Sequence, residues 1–567
     1  MVKYPKVNDN NFYQKINDSF KEFKIPKKNP TMDELCNPKK FKLTLSQEFV
    51  ASFLSPSTPY KGILVNHKIG SGKTCTAIQI GEKWKNHKKI IVVLPASLKE
   101  NFRSELRTQC AKDHYITMEE RNLLKTLSPN SKEYKDIIEK SNKKIDKFYK
   151  IYSYHKFVEL IDGNKLTLKN SLLIIDEIQN MISENGHFYN TLHDIIKDSS
   201  NQLRIVLLSA TPMFDKPDEI ALTMNLLDLE NPLPIGHDFY QKFVTTKIEK
   251  NRLVQSAKNI DEFKKHLKGY VSYFRGAPPV AYPEIKIKYV KCEMSHYQYN
   301  IYKNISEHEK IVMQKKNINM IDLPNNFYIG TRLSSNIVFP NGKTGEKGIE
   351  SLTSDMVLNK LEKYSCKFAI MMNKINHEKG KIFVFSNFKE YGGIYSIEYI
   401  LKCFGYKNFL TDGEGKKRYA IWSGDESTTI KEKIRTFYNR KDNLHGEKIK
   451  ILLGSPSIKE GVSLTAVKQV HIIDPYWNKS RLDQVIGRAN RYCSHKDLDE
   501  DERKVMVYLY IAIAPLSKQI ETIDQFITNL SIGKDKLIKE FEKAIKESAV
   551  DCYLNKNANE PEIVCDK

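Results

Sequence analysis

The sequence predicts an α/β protein with two parallel sheets in tandem and helical insertions. Three observations predict it. The first is the stretch His67-Lys68-Ile69-Gly70-Ser71-Gly72-Lys73-Thr74, which follows the apolar run Gly62-Ile63-Leu64-Val65 and precedes a helix-compatible segment from Cys75 to Trp84. The second is a series of continuous apolar runs, Lys89-Ile90-Ile91-Val92-Val93-Leu94, Ser171-Leu172-Leu173-Ile174-Ile175-Asp176 and Leu203-Arg204-Ile205-Val206-Leu207-Leu208. Unbroken β-branched runs of this kind suit strands buried on both faces, hence parallel strands covered by helices. The third is a second series further on, at 381–386, 419–423, 450–455, 470–474 and 505–510, with no glycine loop of its own.

In chain order, residues 1–42 form an arm, polar and interrupted by Pro26, Pro30 and Pro38. An amphipathic helix is expected to begin within Leu43-Thr44-Leu45-Ser46-Gln47-Glu48-Phe49-Val50, with Ser46 as its N-cap. Gln47, on that helix, carries an amide that donates and accepts together and so matches the edge of adenine. The first lobe is placed at 43–235. Within it, Ala111 to Lys150 is highly charged and is read as a helical surface insertion, at about 111–150. A linker with an inserted subdomain follows at 236–350, where Pro232, Pro234, Pro278, Pro279 and Pro283 break the pattern and Val271-Ser272-Tyr273-Phe274-Arg275-Gly276 reads as a short strand. The second lobe is placed at 351–530. Residues 531–567 are read as a C-terminal helix and tail, positioned to pack on the second sheet or to engage a partner.

The glycine-bearing loop has the chemistry of a nucleotide triphosphate site. Gly70, Ser71 and Gly72 let backbone N–H groups close round phosphate oxygens, and the helix that follows adds the positive end of its dipole. Lys73 reaches toward the β- and γ-phosphates, and the Thr74 hydroxyl is a ligand for Mg²⁺. His67 stands where the pattern G-x-x-x-x-G-K-T has its first glycine. Asp176 and Glu177 end a buried strand about a hundred residues later, where one carboxylate holds Mg²⁺ and its neighbour orients or deprotonates the attacking water. Ser209 and Thr211 close the third run with two hydroxyls, which either sense the nucleotide or form a turn before Pro212. In the second lobe Gln484, Arg488 and Arg491 fall at i, i+4 and i+7, one face of a helix. That face either aims two guanidiniums at a transferring phosphoryl group or pairs with surface carboxylates.

Composition narrows the partners. The 567 residues carry a formal net charge of +22, with 40% hydrophobic and 28% charged residues. Lysines spread along the whole chain point to a polyanionic partner, of which nucleic acid is the commonest, although a lysine-rich composition inherited from an AT-rich genome has the same appearance. The nine cysteines are scattered without a C-x-x-C pair, an argument against a disulfide framework or a zinc site and in favour of a reducing compartment. No run has the apolar length of a membrane helix, and the first residues lack a secretory h-region. The expectation is a soluble, intracellular protein with no membrane partner.

Taken together, Gly70-Ser71-Gly72-Lys73-Thr74, Asp176-Glu177-Ile178-Gln179, Ser209-Ala210-Thr211, Gly461-Val462-Ser463-Leu464-Thr465 and Gln484-x-x-Gly487-Arg488-x-x-Arg491 resemble, in order and spacing, the superfamily 2 helicase and translocase motor. The resemblance covers most of residues 43–515 and implies two RecA-like lobes that hold ATP between them. It implies that Lys73, Thr74, Asp176 and Glu177 bind and hydrolyse MgATP, and that Arg488 and Arg491 act as arginine fingers supported by Gln484. Gln47 resembles the adenine-reading glutamine, and Ser209, Thr211 and Gly461 resemble residues of the coupling motifs. More narrowly, Asp474-Pro475-Tyr476-Trp477-Asn478 and Pro212-Met213-Phe214 resemble the Swi/Snf-like branch of DNA-dependent ATPases. Ser335-Asn336-Ile337-Val338-Phe339-Pro340 and Ala549-Val550-Asp551-Cys552 look like the helicases of large DNA viruses, the poxvirus nucleoside triphosphate phosphohydrolase and early transcription factor ATPase among them. Gln179 stands where the DEAD-box and DExH branches have Asp or His. The resemblance implies a DNA-dependent motor in viral transcription or DNA handling, with RNA polymerase or the transcription machinery as candidate partners and the virion or a cytoplasmic replication site as its location. An RNA helicase and an ATP-switched transcription factor that does not unwind remain the alternatives.

Overall fold

The structure is a computed structural model that describes residues 4–567 apart from 130, 184–185, 200–201, 250–251, 315–326, 460–461 and 519. Two compact units emerge. One comprises Met1–Pro30, Asn37–Pro278 and Gly533–Lys567, and the other Thr31–Cys36 and Pro279–Ile532. Each is built on one parallel sheet, which is the tandem architecture the sequence predicts.

In the first unit the strands are β1 (Gly62–His67), β2 (Lys89–Leu94), β3 (Tyr149–Ser153), β4 (Ser171–Asp176), β5 (Arg204–Leu208), the hairpin β6 (Val244–Glu249) and β7 (Arg252–Ala257), and β8 (Val271–Phe274). The six-stranded sheet runs β3-β2-β4-β5-β1-β8 with every pairing parallel, and β6-β7 pair antiparallel beside it in sequence. Successive side chains on a strand face opposite ways, and the burial follows that rule. Ile63, Val65, Ile90, Val92, Leu172, Ile174, Val206 and Leu208 enter one core, and Leu64, Ile91, Val93, Leu173, Ile175, Ile205 and Leu207 enter the other. Two covered faces are what make these strands read as unbroken apolar runs. The edge strand β3 was not expected: its first residues fall inside the segment read as a helical insertion. The helices Met118–Leu124 and Lys132–Phe148 are there, but Tyr149 and Lys150 already belong to the strand, which is short and alternates as half-exposed strands do.

In the second unit the strands are β9 (Glu284–Glu293), β10 (Lys381–Phe385), β11 (Lys407–Asn408), β12 (Arg418–Trp422), β13 (Ile451–Gly454), β14 (Val467–Ile472) and β15 (Lys504–Ile513). Their order is β11-β12-β13-β10-β14-β15-β9, again parallel throughout. The strand β9 alternates charged and apolar residues and lies at an exposed edge, so it lacks the run that marks the others.

Two expectations are corrected. The segment after Ser531 belongs, from Gly533 on, to the first unit. The long helix Ile523–Glu547 places Leu537, Ile538, Phe541, Ala544 and Ile545 in a core of the first unit. The apolar spacing that marked it as amphipathic does not say which sheet it covers. The cysteines also pair: Cys75 with Cys110, Cys552 with Cys565 and Cys36 with Cys493, at sequence separations of 35, 13 and 457. Each pair is brought together by tertiary folding, which a scan for C-x-x-C spacing does not see. Among the described residues no helix is long and apolar enough to cross a membrane.

Phe541 is fully buried, with its ring 5.4 Å from Phe239 and 5.2 Å from Phe263. Phe541→Ala is expected to destabilise the first unit by about 3–5 kcal/mol, read as a lowered midpoint in denaturant unfolding. An unchanged midpoint would mean that the C-terminal helix does not contribute to that core.

Candidate active site

The site lies where three neighbouring strands of the first sheet end. Asp176 of β4 is opposite Leu208 of β5, and Leu208 is opposite Val65 of β1. The carboxyl ends of β4, β5 and β1 therefore stand in a row, the edge at which open parallel sheets bind ligands. The chain leaves them at Glu177, Ser209 and Lys68.

Between β1 and the helix Lys73–Trp84, Gly70 and Gly72 adopt φ of 83° and 79°. A Cβ on Gly72 would also meet Gln47 Nε2 at 2.5 Å. Glycine is needed there for both its conformation and its size. Lys73 Nζ donates to the His67 carbonyl oxygen at 3.1 Å, which holds the ammonium over the loop. The helix Leu45–Phe53 is capped by Thr44 and not by Ser46: the Gln47 N–H donates to Thr44 Oγ1, and the Thr44 N–H donates to Gln47 Oε1 at 2.9 Å. Thr44 supplies the hydroxyl three residues before Gln47 that this reciprocal arrangement requires. The amide nitrogen of Gln47 donates to the Gly72 carbonyl at 3.2 Å. The residue expected to read adenine thus also fixes the loop to its neighbouring helix.

Glu177 has φ 51°, a left-handed conformation that costs a residue with a side chain about 1–3 kcal/mol. Its N–H donates to Asp176 Oδ1 at 3.1 Å. Glu177 Oε2 accepts from Gln179 Nε2 at 2.6 Å, Gln179 Oε1 accepts from Ser209 Oγ at 2.7 Å, and Ser209 Oγ accepts from the Thr211 N–H at 3.1 Å. One line of hydrogen bonds therefore runs from the end of β4 to the turn after β5. Burial first, and the Glu177 charge second, push the Asp176 carboxyl above the usual carboxylate range, against the opposing pull of Lys73. Crowded negative charge beside a lysine is the environment a divalent cation relieves. Ser71 Oγ and Thr211 Oγ1 are buried and have no hydrogen-bond partner among the described residues. The donor set, the glycine cradle and these two hydroxyls fit a magnesium-bound triphosphate.

In the second unit Gln484 and Arg488 share the helix Lys479–Ala489. Arg488 is 6% exposed, and its Nη1 donates to the Val462 carbonyl at 3.3 Å. Arg491 is not on that face: the helix ends at Ala489, and Asn490 leaves the helical conformation. The chain then turns back on itself, with the Ser494 N–H bonded to the Arg491 carbonyl and Ser494 Oγ to that of Ala489, so the i+7 spacing does not hold. Gly461 lies outside the described residues. At the ends of β10 and β14, Asp474 accepts from Ser386 Oγ at 2.6 Å and from the backbone and side chain of Asn387 at 2.9 and 2.6 Å.

Sequence reasoning did not find Tyr154, whose hydroxyl donates to the Asp176 carbonyl at 2.6 Å and so braces the end of β4. No local pattern marks it. Nor did it connect His67, Ser272 and Asp551, three residues of segments it had singled out separately, which the structure places in hydrogen-bond contact.

Comparison with known proteins gives the family. The model for the DEAD/DEAH box helicase matches residues 47–220, and that for the helicase conserved C-terminal domain matches residues 366–493. A protein of Acanthamoeba polyphaga mimivirus named as an ATP-dependent RNA helicase is 48% identical over 100% of this chain and 99% of its own. A protein of Invertebrate iridescent virus 3 named as a helicase is 29% identical, over 91% of this chain and 54% of its own. A termination factor NPH-I homolog of African swine fever virus is 26% identical, over 87% of this chain and 77% of its own.

Gly72→Ala is expected to weaken binding of a fluorescent ATP analogue by at least about tenfold, from the left-handed backbone alone. Unchanged affinity in that titration would remove Gly72 from the site.

Proposed function

The chain belongs to the superfamily 2 helicases, ATP-hydrolysing nucleic-acid motors, and we propose that this member moves along DNA in the transcription of a large DNA virus. The observation that carries the catalytic part is the hydrogen-bonded line Glu177–Gln179–Ser209–Thr211, beginning beside Asp176 and in the same row of strand ends as the Lys73 loop.

In this reading the N–H groups of Gly70, Ser71 and Gly72 and the Lys73 ammonium hold the β- and γ-phosphates of ATP, and Gln47 reads the adenine edge. Thr74 and Asp176 would hold Mg²⁺, which when bound would neutralise phosphate charge. Glu177, its carboxylate held by Gln179, orients the attacking water and takes its proton. This reading assigns Gln484 and Arg488 of the helix Lys479–Ala489, and Arg491 after its end, to the transferring γ-phosphoryl group, whose developing charge a planar guanidinium matches. Loss of the γ-phosphate removes the partner of the Glu177 line, and Ser209, Thr211 and Gly461 pass that change to the nucleic-acid contacts. The net charge of +22 supports a backbone-directed grip that does not read sequence.

Support for DNA comes from the Swi/Snf-like segments and from Gln179. Support for RNA, the second reading, comes from the mimivirus relative named as an RNA helicase. A role in transcription and a link to polymerase rest on the termination-factor relatives, and would place the protein where viral transcripts are made. ATPase assays with single-stranded DNA, duplex DNA and RNA decide the polymer: stimulation by DNA above RNA is expected, and stimulation by RNA alone overturns the DNA reading. Lys73→Ala is expected to abolish turnover while DNA binding persists. Glu177→Gln should retain ATP and slow its cleavage by about 10²–10⁴-fold. Turnover at the wild-type rate in either variant defeats the assignment. Binding to DNA should weaken steeply as salt is raised.

A further inference from the structure

His67 occupies the position where the phosphate-loop pattern has glycine, and its side chain is fully buried. Its Nε2 lies 2.8 Å from Ser272 Oγ on β8, the strand beside β1. Ser272 Oγ donates in turn to Asp551 Oδ2 at 2.6 Å. A serine hydroxyl has one hydrogen, so with that hydrogen given to the carboxylate the imidazole carries its own proton on Nε2 and donates. Burial first and the nearby Lys73 ammonium second pull the imidazole pKa down to about 3, which keeps the ring neutral. Its Nδ1 is buried and has no hydrogen-bond partner among the described residues. The carbonyl oxygen of the same residue accepts from Lys73 Nζ. Through its side chain His67 is tied to Asp551, and through its backbone to the loop lysine.

The far end of this chain explains why it is built. The strand β8 is an edge of its sheet, and an edge presents unpaired backbone groups that need cover. The C-terminal tail supplies it: the Val550 N–H donates to the Val271 carbonyl at 2.8 Å, Asn555 Nδ2 to the Tyr273 carbonyl at 3.0 Å, and the Arg275 N–H to Asn559 Oδ1 at 2.9 Å. Asp551 itself accepts from the Tyr273 N–H at 2.9 Å and from Asn555 Nδ2 at 2.9 Å. Those contacts cover the edge without Ser272 or His67. The branch inward to the loop adds a fully buried serine and a fully buried histidine, costly groups to bury unless satisfied, and it leads to the residue that holds Lys73.

We propose that Asp551, Ser272 and His67 are positioning residues, a buried relay through which the C-terminal tail sets the phosphate loop and Lys73 for the β- and γ-phosphates. The proposal rests on the ATP reading of the site. The relay touches no substrate: it fixes the backbone at His67, from which the loop departs.

The test is steady-state ATP hydrolysis by the full chain and by Lys73→Ala, Ser272→Ala, Ser272→Thr and Asp551→Asn, with denaturant unfolding of each. Ser272→Ala and Asp551→Asn are expected to lower kcat/KM for ATP about tenfold, and Ser272→Thr, which keeps the hydroxyl, to restore it. A kcat/KM for Ser272→Ala within about twofold of wild type overturns the relay, as does failure of Ser272→Thr to exceed it. If Ser272→Ala unfolds, His67→Gln against His67→Met decides. Gln keeps a donor toward Ser272 and Met keeps only the volume, so about fivefold higher kcat/KM for Gln is expected, and equality overturns the proposal. Hydrolysis as fast in Lys73→Ala as in wild type would defeat the nucleotide reading itself. Relay variants equal to an active wild type, with Lys73→Ala dead, would defeat the relay alone.

Discussion

Three parallel strands ending side by side is the constraint from which the first unit's chemistry follows. With β4, β5 and β1 in register, backbone hydrogen bonds that stabilise the sheet also fix where Asp176, Ser209 and the loop after His67 emerge. Groups that begin far apart in sequence share one edge because parallel strands all point their carboxyl ends the same way. Local devices then refine the edge. Glu177 takes a left-handed backbone and its carboxylate is held by Gln179, the two positive-φ glycines shape the loop, and Gln47 ties the loop to the preceding helix.

The strands and their flanking polar residues divide the energetic work. Apolar side chains on both faces of each sheet supply stabilisation that depends on area and hardly on direction. The hydrogen-bonded lines at the strand ends have the opposite character. Glu177 to Thr211, and Asp551 through Ser272 to His67, are directional, and each member is costly to leave unpaired. Such lines specify one arrangement of the loop, where an apolar core alone would tolerate several.

The second unit repeats the sheet without the phosphate loop. Its strand ends are organised around Asp474, which joins β14 to the residues following β10. The helix Lys479–Ala489 presents Gln484 and Arg488, and the chain reverses before Arg491, where Cys493 is held to Cys36. An i+7 spacing describes a helix only as long as the helix lasts, and the turn that ends this one is set by contacts outside it.

Sequence by itself determined the two parallel sheets, because strands buried on both faces have to be written as continuous apolar runs. It also marked the loop after β1, because Gly70 and Gly72 take a positive φ that few other residues adopt. Half-exposed edge strands such as β3 and β9 were not legible, since burial on one side or neither leaves no such run. The cap at Thr44 was legible in principle from its spacing to Gln47 and was displaced by the nearer serine. Only the tertiary structure decided which core the C-terminal helix enters, which cysteines meet, and that Asp551 reaches His67 through Ser272. Those facts depend on which surfaces come together across hundreds of residues, and a linear pattern encodes the polarity of a surface without naming its partner.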